Sequence, residues 1–329
     1  MDPKQKKAAL LTLKFACSAL LLWLVLRQVQ FHDIIARFHD FDWRYAALGV
    51  VLWVVNLVFA SWRWSILSLG LIPIGQAFRY TWIGFFFGSV LPGAISGDVA
   101  KGVSLGLKDK TQRADRLSTS IFLEKLTGLF SLLIFFTIAS GFLLFGIPEL
   151  FGKLRPLFFA GLVGCFVGIA ALFVIWRVVG TPRAEHWADT LPHDALRRYA
   201  KWMIDAFRPY RHENAKILQA LILSSLMHTV VIAVYWMLFT AVNSGATLLF
   251  AAVFYSLISI ILVIPVSISG IGLRDGFSVM MFTAFNLQPE AGVAVSWLML
   301  GLNVPIILIG GAIQIVEFFG ATEKPRIKY

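Results

Sequence analysis

Long apolar stretches alternate along this chain with short connections that carry most of the charge. The apolar stretches cover about residues 8–26, 45–62, 121–145, 156–176, 217–242 and 291–316. An α-helix rises about 1.5 Å per residue, so each stretch is about as long as the hydrocarbon core of a bilayer is thick. The pattern therefore predicts an all-α integral membrane protein with about six full transmembrane helices.

Two further apolar stretches are interrupted by nearly the same motif. It reads LPGAISGD at 91–98 and IPVSISGI at 264–271. Proline breaks a helix, and lipid cannot bond the N–H and C=O groups that a break releases. The segment 78–91 gives only about 21 Å of helix, which is short for a crossing. We therefore expect two re-entrant helical hairpins, at about 78–107 and 248–287.

Basic side chains are concentrated in four parts of the sequence, at 4–7, 101–116, 177–216 and 324–328. All four fall on one side of the membrane if the two hairpins do not cross it. Because positively charged connections stay in the cytoplasm, this predicts a protein of the cell (inner) membrane with both termini cytoplasmic. The hairpins then enter from opposite faces as an inverted repeat, which is typical of alternating-access transporters with a midplane site.

The whole chain, 1–329, is interpreted as a single polytopic membrane domain. Its one sizeable polar region, at about 181–214, mixes aromatic residues with basic ones. That composition is typical of helices that lie in the membrane interface. Residues 30–44 are likewise predicted to form an amphipathic interfacial helix.

The formal net charge of +11 lies mainly in connections at the depth of the lipid head groups. The charge is therefore explained by lipid head groups, and we do not expect nucleic acid as a partner. The sequence contains no P-loop, GxSxG, HExxH or CxxC motif. We expect no catalytic residue, metal or cofactor, so any driving force would come from a gradient, the membrane potential or downstream consumption.

Polar and charged residues follow each break, and we interpret them as a substrate-binding site. A helix that restarts after a break presents free N–H groups and a partial positive charge, which suits a phosphate or another anion. The cations would add full charge, and the carboxylates would orient them or bind a proton or an ammonium group. The alternative is a solvated turn at the interface. The residues are Ser96, Gly97, Asp98, Lys101, Ser269, Gly270, Gly272, Arg274 and Asp275.

A second set of candidate binding residues leads into the third predicted span. Glu124 and Lys125 lie about two turns inside the apolar run that begins at Leu117. We therefore expect both side chains to face the protein interior, with Arg116 lining the same cytoplasmic mouth. The alternative is an amphipathic helix with exposed ion pairs.

These motifs resemble the signatures of the lysylphosphatidylglycerol synthase transmembrane family, also called the flippase-like family. The similarity covers essentially the whole chain. It is carried by LPG at 91–93 with Gly97, Asp98 and Lys101, by EKLTG at 124–128, and by PVS at 265–267 with Gly270, Gly272, Leu273, Arg274 and Asp275. The family pattern has glycine, Arg, Asp-Arg and Glu where this chain has Ser96, Lys101, Glu124-Lys125 and Asp275. Charge is kept at these positions and bulk changes.

The resemblance implies a lipid translocase that moves a phospholipid or a lipid-linked head group between leaflets. Such head groups include polyprenyl-phosphate, glycolipid and hopanoid types. The sequence ends at Tyr329 without the aminoacyl-transfer domain of bifunctional relatives, so we expect a stand-alone member without lysyl transfer.

Two alternatives to a translocase stay open. The first is an accessory subunit that supports a glycosyltransferase or a lipid synthase through residues 181–214. The second is an intramembrane lipid-modifying enzyme, for which Ser96, Ser269 or His228 would be the candidate reactive groups.

Overall fold

The structure is a computed structural model. It describes residues 19–20, 22–27, 29, 31–39, 41–90, 96–104, 112–146, 151–177, 181–262, 267 and 270–322. Within these ranges the regular elements are helices. In chain order, they are α1 (Phe31–His39), α2 (Trp43–Leu67), α3 (Ile74–Val90), α4 (Ser96–Ser104), α5 (Gln112–Gly146), α6 (Phe151–Arg177), α7 (Pro182–Asp189), α8 (Asp194–Phe207), α9 (Asn214–Ala241), α10 (Leu248–Ile261), α11 (Leu273–Ala284) and α12 (Pro289–Thr322).

Four of the described helices are long and apolar enough to cross a bilayer. They cover Trp43–Leu67, Arg116–Leu144, Asn214–Ala241 and Pro289–Phe319. These helices coincide with four of the predicted spans, and α6 covers a fifth. The predicted first span, 8–26, falls mostly outside the described residues. The all-α membrane fold is confirmed, while the count of six crossings stays a prediction.

Contacts divide the chain into two compact units. Unit 1 consists of Met1–Val58, Phe78–Leu105 and Thr229–Tyr329. Unit 2 consists of Phe59–Ala77 and Gly106–His228. Both predicted hairpins belong to unit 1, and Glu124 belongs to unit 2.

Helix α12 is the common packing partner in unit 1. Gly49 of α2 lies against Leu302, and Leu57 and Trp82 form a buried cluster with Ile306. Near its start, α12 carries Trp297, whose ring packs against Phe31 and Phe38 of α1. Helix α1, predicted from sequence as an amphipathic interfacial helix, packs on α12 through these rings, and its Ile34 is fully buried.

Helices α10 and α11 are joined by aromatic packing in unit 1. Phe254 of α10 contacts Phe277 and Phe282 of α11, with ring centroids 5.4 and 6.2 Å apart. Phe239 of α9 lies 5.3 Å from both Phe254 and Phe282. The second predicted hairpin is thus a pair of helices held side by side by aromatic rings, whose tilted and edge-on contacts add to the stabilisation from buried area.

Unit 2 is built around the pairing of α5 with α6. Gly164 and Gly168 of α6 allow close approach to α5, where Leu133 and Phe130 lie against them. Small residues at such a contact increase van der Waals packing, which is what associates helices when lipid removes the hydrophobic drive. Helices α7 and α8 form a smaller pair, with Ala184, Ala188 and Ile204 in its core.

The α7–α8 pair corresponds to the predicted interfacial region. Its Trp187 and Tyr199 are exposed, as an interfacial element requires, and Lys201 lies 2.6 Å from Asp189. The hydrogen bond from Lys201 holds the pKa of Asp189 below its ordinary value of 3.8. The pair therefore keeps this contact at neutral pH. Its placement on a membrane surface stays a prediction.

The packing of α3 on α12 gives a test of the fold. A Cβ placed on Gly310 would lie 2.5 Å from the backbone carbonyl oxygen of Trp82, which cannot move without shifting α3. We expect Gly310→Ala to lower the free energy of unfolding by about 1–3 kcal/mol, as overpacking does. Gly301→Ala in the same helix meets nothing within 4 Å and should be neutral or slightly stabilising. SDS titration in mixed micelles measures both, and equal effects would contradict this packing.

Candidate functional site

The first break lies beside an unusually close contact between α3 and α4. A Cβ on Gly97 would overlap the carbonyl oxygen of Gly84, and Gly88 lies against the same glycine. Only glycine permits this approach of two backbones. The contact folds α4 back onto α3, as the hairpin prediction requires. Residues 91–95, which contain the proline, and the side chain of Ser96 lie outside the described part of the chain.

Lys101 is held in this hairpin by its own aliphatic stem. The stem lies over Gly84, where an added Cβ would come within 2.8 Å of the lysine Cγ. The Lys101 ammonium lies 4.0 Å from the carboxylate of Asp98, one turn earlier in α4. Lys101 is only 7% exposed. The predicted pairing of Asp98 with Lys101 is therefore observed, and the cation is buried at the break.

After the second break, the chain enters helix α11 through two glycines in the left-handed conformation. Gly270 and Gly272 both have φ of 78°. Side chains other than glycine adopt this region only at a cost, so the turn depends on both. Ser269 lies outside the described residues.

Asp275 caps the helix that restarts here, which differs from the predicted role. Its Oδ2 accepts a hydrogen bond of 2.9 Å from the Gly272 N–H. Its Oδ1 accepts one of 2.5 Å from the Ser296 hydroxyl of α12. The sequence suggested a bare N–H for an anion and a carboxylate that orients Arg274. The carboxylate three residues on instead occupies the Gly272 N–H, as in a capping box.

Arg274 is the buried cation of the second break. Its guanidinium donates a hydrogen bond to the Tyr235 hydroxyl of α9 and lies beside Gly270. Arg274 is only 7% exposed. Tyr235 was not a candidate from sequence, because a tyrosine inside an apolar span resembles any other packing residue.

The position of each break can be measured along α12. Asp275 of α11 is hydrogen-bonded to Ser296, and Phe86 of α3 packs against Gly310. These two positions of α12 are 14 residues, or about 21 Å, apart. Helix α3 continues about 6 Å from Phe86 toward Ser296, and Gly272, where the second break ends, lies about 4.5 Å before Asp275 along the line of α11. The two breaks are thus about 10 Å apart along the axis of α12.

Both hairpins also use the same face of α12. The contacts with α11 involve Gly292 and Ser296, and those with α3 involve Ile306, Gly310 and Ile313. Spacings of three and four residues place all of them on one helical stripe. The breaks therefore approach one another along a single stripe, and they do not lie on opposite sides of the helix.

Asn303 occupies that stripe between the two hairpins. It lies seven residues after Ser296 and seven before Gly310. Its side-chain oxygen is buried and has no hydrogen-bond partner among the described residues. From sequence alone an asparagine in a span indicates helix packing. Its position at the level of the breaks makes it an additional candidate for contact with a polar group.

Glu124 belongs to a separate buried cluster in unit 2. Its carboxylate accepts a hydrogen bond of 3.0 Å from Arg63 of α2. The prediction that Glu124 faces the interior is confirmed, but the same prediction for Lys125 is wrong, because Lys125 is exposed. Neighbouring helical residues point about 100° apart, and in α5 this places Glu124 on the buried side and Lys125 on the exposed side. Arg116 is also exposed.

Arg63 is the site residue that the sequence interpretation missed. It directly follows the predicted span 45–62, where an arginine is ordinarily a surface anchor. The signal available in the sequence was the apolar character of Trp62, Trp64, Ile66 and Leu67 on both sides of it. That pattern extends the helix past Arg63 to Leu67.

The cap at the second break can be tested by mutation. We expect Asp275→Ala to lower the free energy of unfolding by about 2–4 kcal/mol, because it removes two charge-assisted hydrogen bonds. Ser296→Ala should cost about 1–2 kcal/mol alone and almost nothing in the Asp275→Ala background. Ser278→Ala, which removes a bond to the backbone of its own helix, should not couple to Asp275. Additive losses in SDS titrations of the first pair would contradict the cap.

The family model of the lysylphosphatidylglycerol synthase TM region matches residues 11–311 of the chain. The match includes both breaks, the Arg63–Glu124 pair and most of α12. No curated protein matches the chain. This family is a membrane domain associated with lipid handling. The chain thus belongs to the lysylphosphatidylglycerol synthase transmembrane family and is a multi-pass membrane protein.

Proposed function

We propose that this protein is a lipid translocase that moves an acidic phospholipid, or a lipid-linked phosphate, between leaflets. The observation that carries the proposal is the placement of two buried cations in unit 1. Lys101 and Arg274 each lie at a helix break, and the two breaks are about 10 Å apart along one stripe of α12.

Cations buried among membrane helices call for a functional explanation. An arginine or lysine at the centre of a bilayer costs about 3 kcal/mol on insertion scales. Lys101 has a carboxylate 4.0 Å away, and Arg274 has the neutral hydroxyl of Tyr235. A phosphate is an anion with several acceptor oxygens, so it would offset the desolvation of such cations and match the fork of Arg274.

The structure supports hairpins that start from opposite ends of α12. In the first hairpin, Arg79 near the start of α3 pairs with Glu317, close to the end of α12. In the second hairpin, Phe282 of α11 lies against Gly292, close to the start of α12. This arrangement suits an inverted repeat with alternating access in the cell membrane, both termini being cytoplasmic.

The proposed activity is transport without covalent chemistry. The head group would pass between the two breaks, at the level of Asn303, while the acyl or prenyl tails stay in lipid. Two other functions remain outcomes of the tests: support of a glycosyltransferase or lipid synthase, and covalent modification of the lipid.

Transport should depend on both buried cations. We expect Lys101→Ala and Arg274→Ala each to reduce transfer of fluorescent phosphatidylglycerol by at least about tenfold, as expected when a charged contact of about 1.4 kcal/mol or more is lost. Reconstituted proteoliposomes with a dithionite-quenching assay measure the transfer.

Two surface cations provide matched controls for these variants. Lys201→Ala and Arg79→Ala remove exposed ion pairs and should leave transfer unchanged. Unchanged transfer in both the Lys101 and Arg274 variants would reject the site. A lipid whose mass changes on incubation would favour an enzyme. Activity lost on deleting α7–α8, with both cations dispensable, would favour an accessory subunit.

Asn303 should contribute to transfer more than to stability. Asn303→Leu removes a buried amide oxygen that lacks a partner among the described residues, so we expect folding to be kept or strengthened. Transfer should fall several-fold, because the polar group between the two breaks is removed. Gln314→Leu, which removes a comparable buried side-chain oxygen nearer the C-terminal end of α12, is the control. Equal transfer by the two variants would count against a role for Asn303.

A further inference from the structure

A second buried charge cluster lies in unit 2, built on Arg63 of α2, Glu124 of α5 and Ser224 of α9. Arg63 and Glu124 are 7% and 4% exposed, and Ser224 is fully buried. Glu124 lies eight residues inside the candidate span Arg116–Leu144, which is about 12 Å along the helix. The cluster thus joins three membrane helices, with Arg63 four residues before the end of α2 and Ser224 ten residues after the start of α9.

The guanidinium of Arg63 is held by two different partners. One nitrogen donates to the Glu124 carboxylate at 3.0 Å, and the other donates to the Ser224 hydroxyl at 2.8 Å. A Cβ on Gly128 would come within 3.3 Å of the same guanidinium, so this glycine gives it room beside α5. The Nε of Arg63 is buried without a hydrogen-bond partner among the described residues.

The groups around Glu124 determine how it responds to a proton. From α2 it faces Arg63. Helix α9 carries His228, which interacts electrostatically with Arg63 and forms a hydrogen bond with the Gly128 carbonyl oxygen. On α5 itself, Lys125 and Arg116 are exposed. Arg63 is therefore a direct counter-ion of Glu124, at 3.0 Å.

We propose that Glu124 is a proton-binding site that couples lipid transfer to a proton gradient, which rests on the proposed transport function. A proton from bulk water binds the carboxylate, and the ion pair with Arg63 becomes a neutral acid beside a cation. The uncompensated charge of Arg63 then favours a bound anion. One proton and one acidic lipid would move together, and the proton returns to water on the other side.

This coupling fits the energetics of the pair. A buried ion pair gives little net stability, because desolvation offsets its attraction, whereas removal of one partner is strongly destabilising. When Glu124 is protonated and an anion is bound, the negative charge of the anion replaces that of the carboxylate and balances the positive charge of Arg63. Ionisable residues inside membrane helices mark proton and ion pathways for this reason.

Proteoliposomes with a clamped membrane potential and an imposed pH difference test the coupling. We expect the wild-type protein to accumulate fluorescent phosphatidylglycerol in one leaflet. One proton per lipid would shift the ratio between leaflets by up to about tenfold per pH unit. Glu124→Gln should leave the ratio near one at every gradient. Glu317→Gln, which alters a surface pair with Arg79, should accumulate lipid as the wild type does.

Infrared difference spectra between acidic and alkaline pH detect the proton itself, even if no lipid is moved. A band of a dehydrated carboxylic acid should appear in the wild type and in Glu317→Gln and be absent in Glu124→Gln. If this band does not appear in the wild-type protein, Glu124 is not a proton-binding site. Lipid transfer that ignores the gradient, with the band present, would overturn the coupling and keep the translocase. A band without any transfer would reject the translocase and the coupling, and keep the site.

Discussion

In the interior of a bilayer no water is available to bond an amide that leaves a helix, and this constraint shapes both breaks. At the second break a side-chain carboxylate replaces the missing water. Asp275 accepts a hydrogen bond from the Gly272 N–H and is held in place by Ser296 of α12. The cap thereby joins α11 to α12. At the first break, glycines bring α3 and α4 so close that the stem of Lys101 covers Gly84. In each case the feature that permits a break also fixes the position of a buried cation.

The sequence predicted the membrane class, the helices and the hairpin pairs because each has a local signal. Apolar stretches of the right length become helices in lipid almost regardless of their neighbours. The repeated proline and glycine motifs marked the breaks, and the charges after them marked Lys101 and Arg274. Asp98 and Lys101 are one turn apart, so their proximity also followed from the helical period.

The sequence could not show which partner each charged group would choose, because those partners come from distant parts of the chain. Arg63 and Glu124 are 61 positions apart, and Ser224 is another 100 positions on. The burial of Glu124 and the exposure of Lys125 depend on which face of α5 meets α2, which no local pattern encodes. Asp275 illustrates the same limit: its nearest cation in sequence is Arg274, but its observed partners are an amide and a hydroxyl.

The shared stripe of α12 has a mechanical consequence. Helices α3 and α11 dock end to end on one line of residues, from Gly292 through Ser296 to Gly310. A turn of α12 about its long axis would swing both hairpins in the same sense, and a slide along that axis would tighten one end while loosening the other. Pro305 lies inside this helix, between the contacts with α11 and those with α3, and it lacks the N–H that would form one of the helix's backbone hydrogen bonds. A hinge at that position would let the two ends of the stripe move independently.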